Sequence, residues 1–459
     1  MSRLVVVSNR VAKSDGSGGS KGGLAVGVMA AMSTRGGLWF GWNGKVESRE
    51  ETSPRLETSG AIEYATVSLK PIEYNQYYKG FANSVLWPLF HQRPDLMDYN
   101  AEDYRGYLAV NRKMVERLLP LLRPTDLIWI HDYHLIPMGR MLREAGVRSP
   151  IGFFLHTPFP PLDLLRTVPG YKDMLSSLMA YDLVGFQTDA DYRGFAVSAA
   201  LGLKAECLPG NQFQIGGRTC TAGVYPISIE TEALLGAARA GENSLEFRRL
   251  NSSLADRQLI IGVDRLDYSK GLSQRMQAYE RLLKQHSEFL RRVVYLQIAP
   301  VSRGDVEAYR DLAQSIDRQV GHINGAYADF DWMPLRYLNR GFRRNTILAM
   351  YKLARVAFVT PLRDGMNLVA KEFVAAQDPQ DPGVLVLSHM AGAADELDAA
   401  VQVNPYDIDG VAAGLARALQ MPLDERIDRW QKMMAVLRDN NIHHWQARFL
   451  EHLQAVASG

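Results

Sequence analysis

Val356-Ala357-Phe358-Val359-Thr360-Pro361-Leu362-Arg363-Asp364-Gly365-Met366-Asn367-Leu368-Val369-Ala370-Lys371-Glu372 is the stretch whose reading decides the fold. The apolar run Val356 to Val359 reads as a buried parallel strand. Pro361 and Gly365 break it, and helix formers resume from Asn367 to Ala376. A Gly-containing loop between strand and helix leaves free backbone N–H groups at the positive end of the helix dipole, which suits a phosphate. Asp364 stands in that loop, at the carboxyl end of the strand. Glu372 lies about two helical turns further on, at a spacing that lets it share the helix face looking back at the loop. Two carboxylates flanking an amide-lined anion site suit a ligand with phosphates in the middle and hydroxyls at both ends. A nucleotide sugar has that shape. The same residues also read as an ordinary α/β loop whose Asp caps a helix.

Outward from this stretch the rhythm repeats. Strand-like runs at Leu4–Ser8, Ile62–Leu69, Leu127–Ile130, Ile151–Leu155 and Leu183–Phe186 alternate with helical patterns at Leu24–Met32, Val110–Leu122 and Ala190–Leu201. After Val224-Tyr225-Pro226 it restarts, with strands at Leu259–Val263, Val293–Ala299, Val356–Val359 and Val384–Leu387. Helices are expected between them at Leu272–Gln285, Val306–Gln319 and Thr346–Leu353. This alternation predicts two doubly wound parallel sheets in series, with ligands at the carboxyl ends of strands in a cleft between them. Segments 45–60 and 204–222 read as surface loops or hairpins. A last helix, about Ile442 to Val456, carries the stripe Trp445, Phe449, Leu450, Leu453 and Val456, which needs a partner surface. It is expected to pack on the first domain, giving domains of 1–228 (with about 440–459) and 229–439.

At 459 residues, two domains are the natural expectation, and 47% apolar residues supply the cores. A formal net charge of +2 argues against a dedicated nucleic-acid binder, so anion recognition must be local. The two cysteines, Cys207 and Cys220, read as free thiols in a reducing compartment. The N-terminus runs straight into a strand without signal-peptide architecture, and no run reaches the roughly 20 apolar residues of a membrane span. A cytoplasmic protein with no membrane partner is expected.

Four strand-end constellations carry chemistry. Ser8-Asn9-Arg10 leads into a loop with Gly16, Gly18, Gly19, Gly22 and Gly23, able to close over a ligand but lacking the dinucleotide fingerprint. His131-Asp132-Tyr133-His134 places Asp132 where it can accept hydrogen bonds from sugar hydroxyls, and the next strand ends in His156-Thr157-Pro158. The two His of the first motif have no companions at ligand spacing, so no metal is expected there. Asp264-Arg265-Leu266-Asp267-Tyr268-Ser269-Lys270-Gly271 offers Arg265 and Lys270 to one pyrophosphate, or reads as a solvated loop with an internal Asp–Arg pair. Ala299-Pro300-Val301-Ser302-Arg303-Gly304-Asp305 carries a single Arg in a turn. Tyr74, Tyr77, Tyr78, Phe81, Trp87 and Phe90 form an aromatic segment that suits sugar rings but reads more simply as core, and Trp39 and Trp42 are equally ambiguous. Asp-x-Asp at 189–191 and 407–409 reads as helix capping, which argues for metal-independent chemistry.

With these motifs in place, the chain resembles the bacterial trehalose-6-phosphate synthases, retaining glycosyltransferases of the GT-B fold. The matching stretches run end to end, from Arg3–Arg10 and Gly22–Gly27 through Ile128–Pro137, Arg265–Gly271 and Thr360–Val374 to Val403–Asp407. The resemblance implies two Rossmann-like domains facing a deep cleft. It also implies transfer of glucose from a nucleotide glucose, most often UDP-glucose, to glucose 6-phosphate. Gly22, Gly23, Arg265, Lys270 and the backbone of Leu368 and Val369 would hold the donor diphosphate. Glu372 would bind the ribose and Phe342 the base, while Asp364 and His156 would meet the donor glucose. Arg10, Tyr78, Trp87, Asp132 and Arg303 would form the acceptor site, with Trp87 and Thr157 setting anomer selectivity. The family is thought to use front-face transfer, in which the leaving phosphate oxygen takes the acceptor's proton and Arg265 and Lys270 stabilise its charge. No cofactor is implied, and a homo-oligomer, dimer or tetramer, is expected. A pseudo-glycosyltransferase coupling non-sugar rings and a catalytically silent regulatory subunit share the fold and stay open as alternatives.

Overall fold

The structure is a computed structural model that describes residues 2–11, 27–29, 32, 35–49, 52–301 and 307–458. Gly22, Gly23 and Arg303 lie outside the described residues, as does most of the expected helix Leu24–Met32, whose described residues 27–29 and 32 are helical. No helix among the described residues is long and apolar enough to cross a membrane.

The chain divides into two compact units. Among the described residues the first comprises 2–227 with 443–458, and the second 228–442. Among the described residues the first unit carries ten strands: β1 (Leu4–Arg10), β2 (Gly37–Val46), β3 (Arg55–Ser59), β4 (Ile62–Leu69), β5 (Leu127–His131), β6 (Ile151–Phe154), β7 (Leu183–Phe186), β8 (Glu206–Leu208), β9 (Gln212–Ile215) and β10 (Arg218–Val224). They lie in the order β3-β4-β2-β1-β5-β6-β7-β10-β9-β8. The central pairs are parallel, and β3, β8 and β9 add antiparallel edges. Among the described residues, segment 45–60 therefore carries the edge strand β3, which forms a hairpin with β4, and segment 204–222 folds as the antiparallel run of β8, β9 and most of β10.

The second unit carries an all-parallel sheet of β11 (Gln258–Val263), β12 (Val293–Ile298), β13 (Leu335–Leu338), β14 (Val356–Val359), β15 (Val384–Ser388) and β16 (Val401–Val403), ordered β13-β12-β11-β14-β15-β16. Its central strands are buried along nearly their whole length, as helices on both faces of a parallel sheet require. Each sheet reverses its winding once, between β1 and β5 in the first unit and between β11 and β14 in the second. At such a switch point the helices on either side diverge and leave a crevice outside the strand carboxyl ends.

The terminal helix Ile442–Ser458 packs on the first unit's sheet. Trp445, Phe449, Leu450 and Leu453 are almost fully buried, while Val456 is half-buried. Phe449 stacks on Trp129 of β5 with ring centroids 4.9 Å apart, and Trp445 lies 5.0 Å from the same ring. Gly152 and Gly185 make this approach possible, because a Cβ on either would fall within 2.8 Å of the Phe449 ring. Truncating a buried aromatic of this kind costs about 3–5 kcal/mol. Several helices start earlier or end later than their apolar runs suggest. Helix Ala101–Leu118, expected from Val110, begins at an Asn100 cap whose side chain accepts from the Glu102 N–H. Its first turns are largely polar, so hydrophobic spacing did not reveal them. Helix Glu307–Tyr327 likewise outruns the expected end at Gln319.

Candidate functional site

In the second unit the switch point brings together two loops that are far apart in sequence. After β11 the chain makes a short 3₁₀ turn, Tyr268–Lys270, held by Asp267, whose side chain accepts from Ser269 N–H. Gly271 then takes a left-handed φ of +66° against the Thr360 carbonyl, where a Cβ would lie 2.4 Å from the oxygen. The loop after β14 closes on this turn, with Leu362 N–H donating to the Ser269 carbonyl at 2.8 Å. The result is an ion pair between Lys270 and Asp364, Nζ to Oδ2 2.6 Å, with both side chains largely buried. Asn367, not Asp364, caps the following helix: its side chain accepts from the Ala370 N–H while its amide donates to Asp364 at 3.0 Å. The capping reading of Asp364 therefore fails, because Asn367 already does that work.

Helix Leu368–Ala376 begins at this point, so the first-turn N–H groups of Leu368 and Val369 have no intrahelical acceptor. Glu372, on the same helix, pairs with Arg344 at 2.7 Å. Arg344 opens helix Arg344–Leu353, two residues beyond Phe342, whose ring lies under the Arg340 guanidinium. Arg265 is exposed at the end of β11. Its neighbour Asp264 pairs with Arg275. Arg275 is fully buried and also donates to Thr360 at 3.1 Å, so one guanidinium ties the ends of β11 and β14 together. Sequence reasoning missed Arg275 and Arg344. Arg275 had a signal, since it occupies an apolar position of helix Leu272–Gln285 between Leu272 and Tyr279.

In the first unit the expected residues gather at the carboxyl ends of β1, β5 and β6. Asp132 follows β5 with φ +76° and ψ 163°, a region that non-glycine residues avoid at a cost of about 1–3 kcal/mol. Its carboxylate accepts from the His156 N–H at 3.3 Å. His156 meets His131, Nε2 to Nδ1, at 3.1 Å. Burial pushes His131 well below the ordinary imidazole range, helped by His156, and burial pushes His156 down to about 3, so both rings are neutral at pH 7. The Thr157 hydroxyl is buried with no partner among the described residues.

Aromatic rings wall this half-site. The wide-turned helical segment Tyr74–Leu86 sets Tyr78 on His134, stacked with centroids 5.8 Å apart, and on Trp42 at 5.5 Å. Trp87, in the turn that follows, lies 5.8 Å from Tyr133. Tyr77, Phe81, Trp87 and Phe90 are core, whereas Tyr74 and Tyr78 stay half-buried. Trp39 and Trp42 are both buried, Trp39 donating to Ser8 at 2.8 Å. Arg10 ends β1 with its guanidinium against Gly44.

The Asp-x-Asp pairs divide. Asp407 caps its helix, accepting from Gly410 N–H. At 189–191 the cap is Thr188, and Asp191 instead accepts from Phe159 N–H at 2.9 Å, bracing the loop after His156. Among the described residues no three His, Cys, Asp or Glu side chains converge, and Cys207 and Cys220 are free thiols. A cavity of about 1060 Å³ opens elsewhere in the first unit, at the amino ends of β1 and β2 and against the terminal helix, away from the switch point.

The trehalose-6-phosphate synthase of Sodalis glossinidius is 48% identical over 458 residues, covering 100% of this chain and 97% of that protein. An α,α-trehalose-phosphate synthase (UDP-forming) from Burkholderia xenovorans, solved in complex with glucose-6-phosphate, superposes with a TM-score of 0.95 at 47% identity over 98% of this chain and 100% of the other. An E. coli structure of this type bound with UDP-2-fluoro glucose gives 0.94 at 46% identity, over 99% of each chain. Matched to the sequence profile of its members from residue 3 to residue 455, the chain belongs to glycosyltransferase family 20.

Proposed function

We propose that this chain transfers glucose from UDP-glucose to the anomeric oxygen of glucose 6-phosphate with retention, releasing UDP and α,α-trehalose 6-phosphate. The observation that carries the reading is the Lys270–Asp364 pair at the β11/β14 switch point, beside the helix start at Leu368 and Val369. It puts a cation, a carboxylate and free amides at one strand-end crevice. The homologous Burkholderia protein was solved with glucose-6-phosphate and the E. coli one with a UDP-glucose analogue, the two substrates this reaction needs.

The second unit is the donor half. Arg265, Lys270 and the amides of Leu368 and Val369 hold the diphosphate, with Gly22 and Gly23 completing it. Glu372, fixed by Arg344, takes the ribose, and Phe342 lies against the base. Asp364 orients the donor glucose. Its carboxylate already accepts from Lys270 and Asn367, so it serves as a fixed acceptor for sugar hydroxyls. Double displacement needs a free nucleophilic carboxylate about 5–5.5 Å from an acid/base partner. Front-face transfer needs neither: the departing phosphate oxygen takes the acceptor's proton while Lys270 and Arg265 stabilise its growing charge.

The first unit supplies most of the acceptor half: Arg10 and Tyr78 hold the 6-phosphate, together with Arg303 of the second unit. Asp132 accepts from the acceptor's hydroxyls, and Trp87 and Thr157 select its anomer. His156 meets the donor glucose. The enzyme works in the cytoplasm, where its phosphorylated substrates are found, as a homo-oligomer.

The test is a product assay with glucose 6-phosphate and each of UDP-, GDP- and ADP-glucose. Trehalose 6-phosphate is expected, fastest with UDP-glucose. A different disaccharide, or no product with any donor, would overturn the reading in favour of a pseudo-glycosyltransferase or a silent subunit.

A further inference from the structure

We propose that His131 is a positioning residue that fixes the proton of His156 on Nδ1, so that His156 meets the sugar as a hydrogen-bond donor. The inference rests on the reading of His156 as a sugar contact. It starts from geometry: Nδ1 of His131 and Nε2 of His156 lie 3.1 Å apart, with the ring centroids 5.3 Å apart. In such a contact one nitrogen carries the proton and the other offers its lone pair. Burial disfavours a positive charge on either ring, so each imidazole holds a single proton and two arrangements remain.

In the first arrangement His156 donates from Nε2, and the proton of His131 is then on its own Nε2. That atom is buried and has no partner among the described residues. The His131 ring is surrounded by the rings of Trp129, centroid 4.4 Å away, and Phe154 at 6.4 Å. Neither ring supplies an acceptor oxygen, and Trp445 of the terminal helix packs against His156 edge-on. A buried N–H without an acceptor is the rarer and costlier kind of orphan; an unused lone pair is better tolerated. In the second arrangement His131 donates from Nδ1 to Nε2 of His156, and nothing but a lone pair is left unpartnered. The proton of His156 is then on Nδ1, the tautomer that a free imidazole disfavours and that only a bond at the other nitrogen selects.

The consequence bears on specificity. A sugar hydroxyl can donate or accept, so an uncommitted histidine would tolerate either orientation. A histidine locked as an Nδ1–H donor requires the hydroxyl to accept from it, and leaves the hydroxyl's own proton for a neighbouring acceptor. The backbone at His156 is held by the Asp132 carboxylate, so ring and main chain are fixed from two sides.

The experiment is a long-range ¹H–¹⁵N correlation on the full-length chain labelled at histidine, at neutral pH, with the His156 signals identified by their loss in His156→Gln. Nδ1 protonation of both His131 and His156 is expected. In His131→Asn the amide N–H replaces the Nδ1 donor, and His156 should keep its tautomer. In His131→Phe the donor is gone, and His156 should move to Nε2–H. The kcat/KM for glucosyl transfer should fall roughly 10-fold in His131→Phe, with most of it recovered in His131→Asn. An Nε2–H tautomer of His156 in the unsubstituted chain would overturn the proposal. So would an Nδ1–H tautomer that persists in His131→Phe. Should a variant fail to fold, the spectrum of the unsubstituted chain decides alone. Because that spectrum does not depend on turnover, failure to make trehalose 6-phosphate would count against the proposed function and not against the position of the proton.

Discussion

At the ends of β5 and β6 the polar groups are neutral imidazoles, a buried hydroxyl and one carboxylate on a strained backbone, walled by tyrosine and tryptophan rings. At the ends of β11 and β14 they come as opposite charges already paired: Lys270 with Asp364, Arg275 with Asp264, and Arg344 with Glu372. The two crevices share a topology and differ in what they hold before any ligand arrives. Pairing keeps a desolvated lysine from standing alone, since an unpartnered buried charge is costly. On the proposed reading, a diphosphate entering the second unit meets a cation already held in place, beside an Asp364 that Asn367 also holds. Among the described residues at the ends of β5 and β6 most polar groups are uncharged, so on the proposed reading hydrogen-bond direction and ring shape contribute to selectivity there.

The largest expected effect breaks the charged half. On the proposed reading, Lys270→Ala removes the cation facing the leaving oxygen, and with it the ion pair to Asp364. Loss of one preorganised group of this kind lowers turnover by roughly 10²- to 10³-fold. Steady-state rates with saturating glucose 6-phosphate measure it, and a loss below about 5-fold would remove Lys270 from the chemistry.

Next comes Arg303→Ala. A charge-assisted hydrogen bond contributes about 1.5–3 kcal/mol, so kcat/KM for glucose 6-phosphate should fall roughly 10- to 150-fold. Unphosphorylated glucose should lose little, because it lacks the group Arg303 grips. Equal losses with both acceptors would place Arg303 in the scaffold.

A smaller effect separates the units by pH. The fold lowers the pKa of His156 from 6.5 to about 3, and that of His131 well below its ordinary value. Between those limits the unfolded chain binds more protons, so stability rises with pH. The contribution is complete above about pH 6.5 and is lost progressively as pH falls toward 3. From pH 6.5 to pH 5 His156 alone should account for about 2 kcal/mol. Denaturant midpoints at the two pH values check this, and His156→Gln should show a shallower dependence than the parent.

The smallest expected effect is none at all. Exhaustive chelation should leave the rate unchanged, because Arg265 and Lys270 supply the positive charge that a divalent ion gives other transferases. Activity lost on chelation and restored by manganese or magnesium would contradict this.

Much of this was legible in the chain because parallel strands announce themselves as short apolar runs. β1, β5, β7, β11, β14 and β15 fall where those runs lie. β2 did not show, because its Gly37, Gly41 and Gly44 read as loop while its tryptophans are buried by strands from elsewhere. β13 (Leu335-Arg336-Tyr337-Leu338) and β16 (Val401-Gln402-Val403) did not show because a polar residue interrupts each, so neither makes an apolar run. Asp132, His156, Lys270 and Asp364 could be picked out as candidates because strand-end loops are where a doubly wound sheet puts its chemistry. The role of His131, the Arg344–Glu372 pair and the Arg275 clamp could not, since each depends on a contact with a residue distant in sequence. Asp364 as a cap failed for a local reason, the presence of Asn367 three residues on.

The division of labour between the crevices is tested most directly by one crossed binding measurement, with UDP and glucose 6-phosphate each titrated into Asp132→Asn and Lys270→Ala. Asp132→Asn keeps a side chain that tolerates positive φ and removes only the charge. It should weaken glucose 6-phosphate by roughly 10- to 150-fold and leave UDP within about 2-fold. Lys270→Ala should do the reverse. If Asp132→Asn weakened UDP as much as glucose 6-phosphate, or if both variants weakened both ligands alike, the assignment of acceptor to the first unit and donor to the second would be wrong.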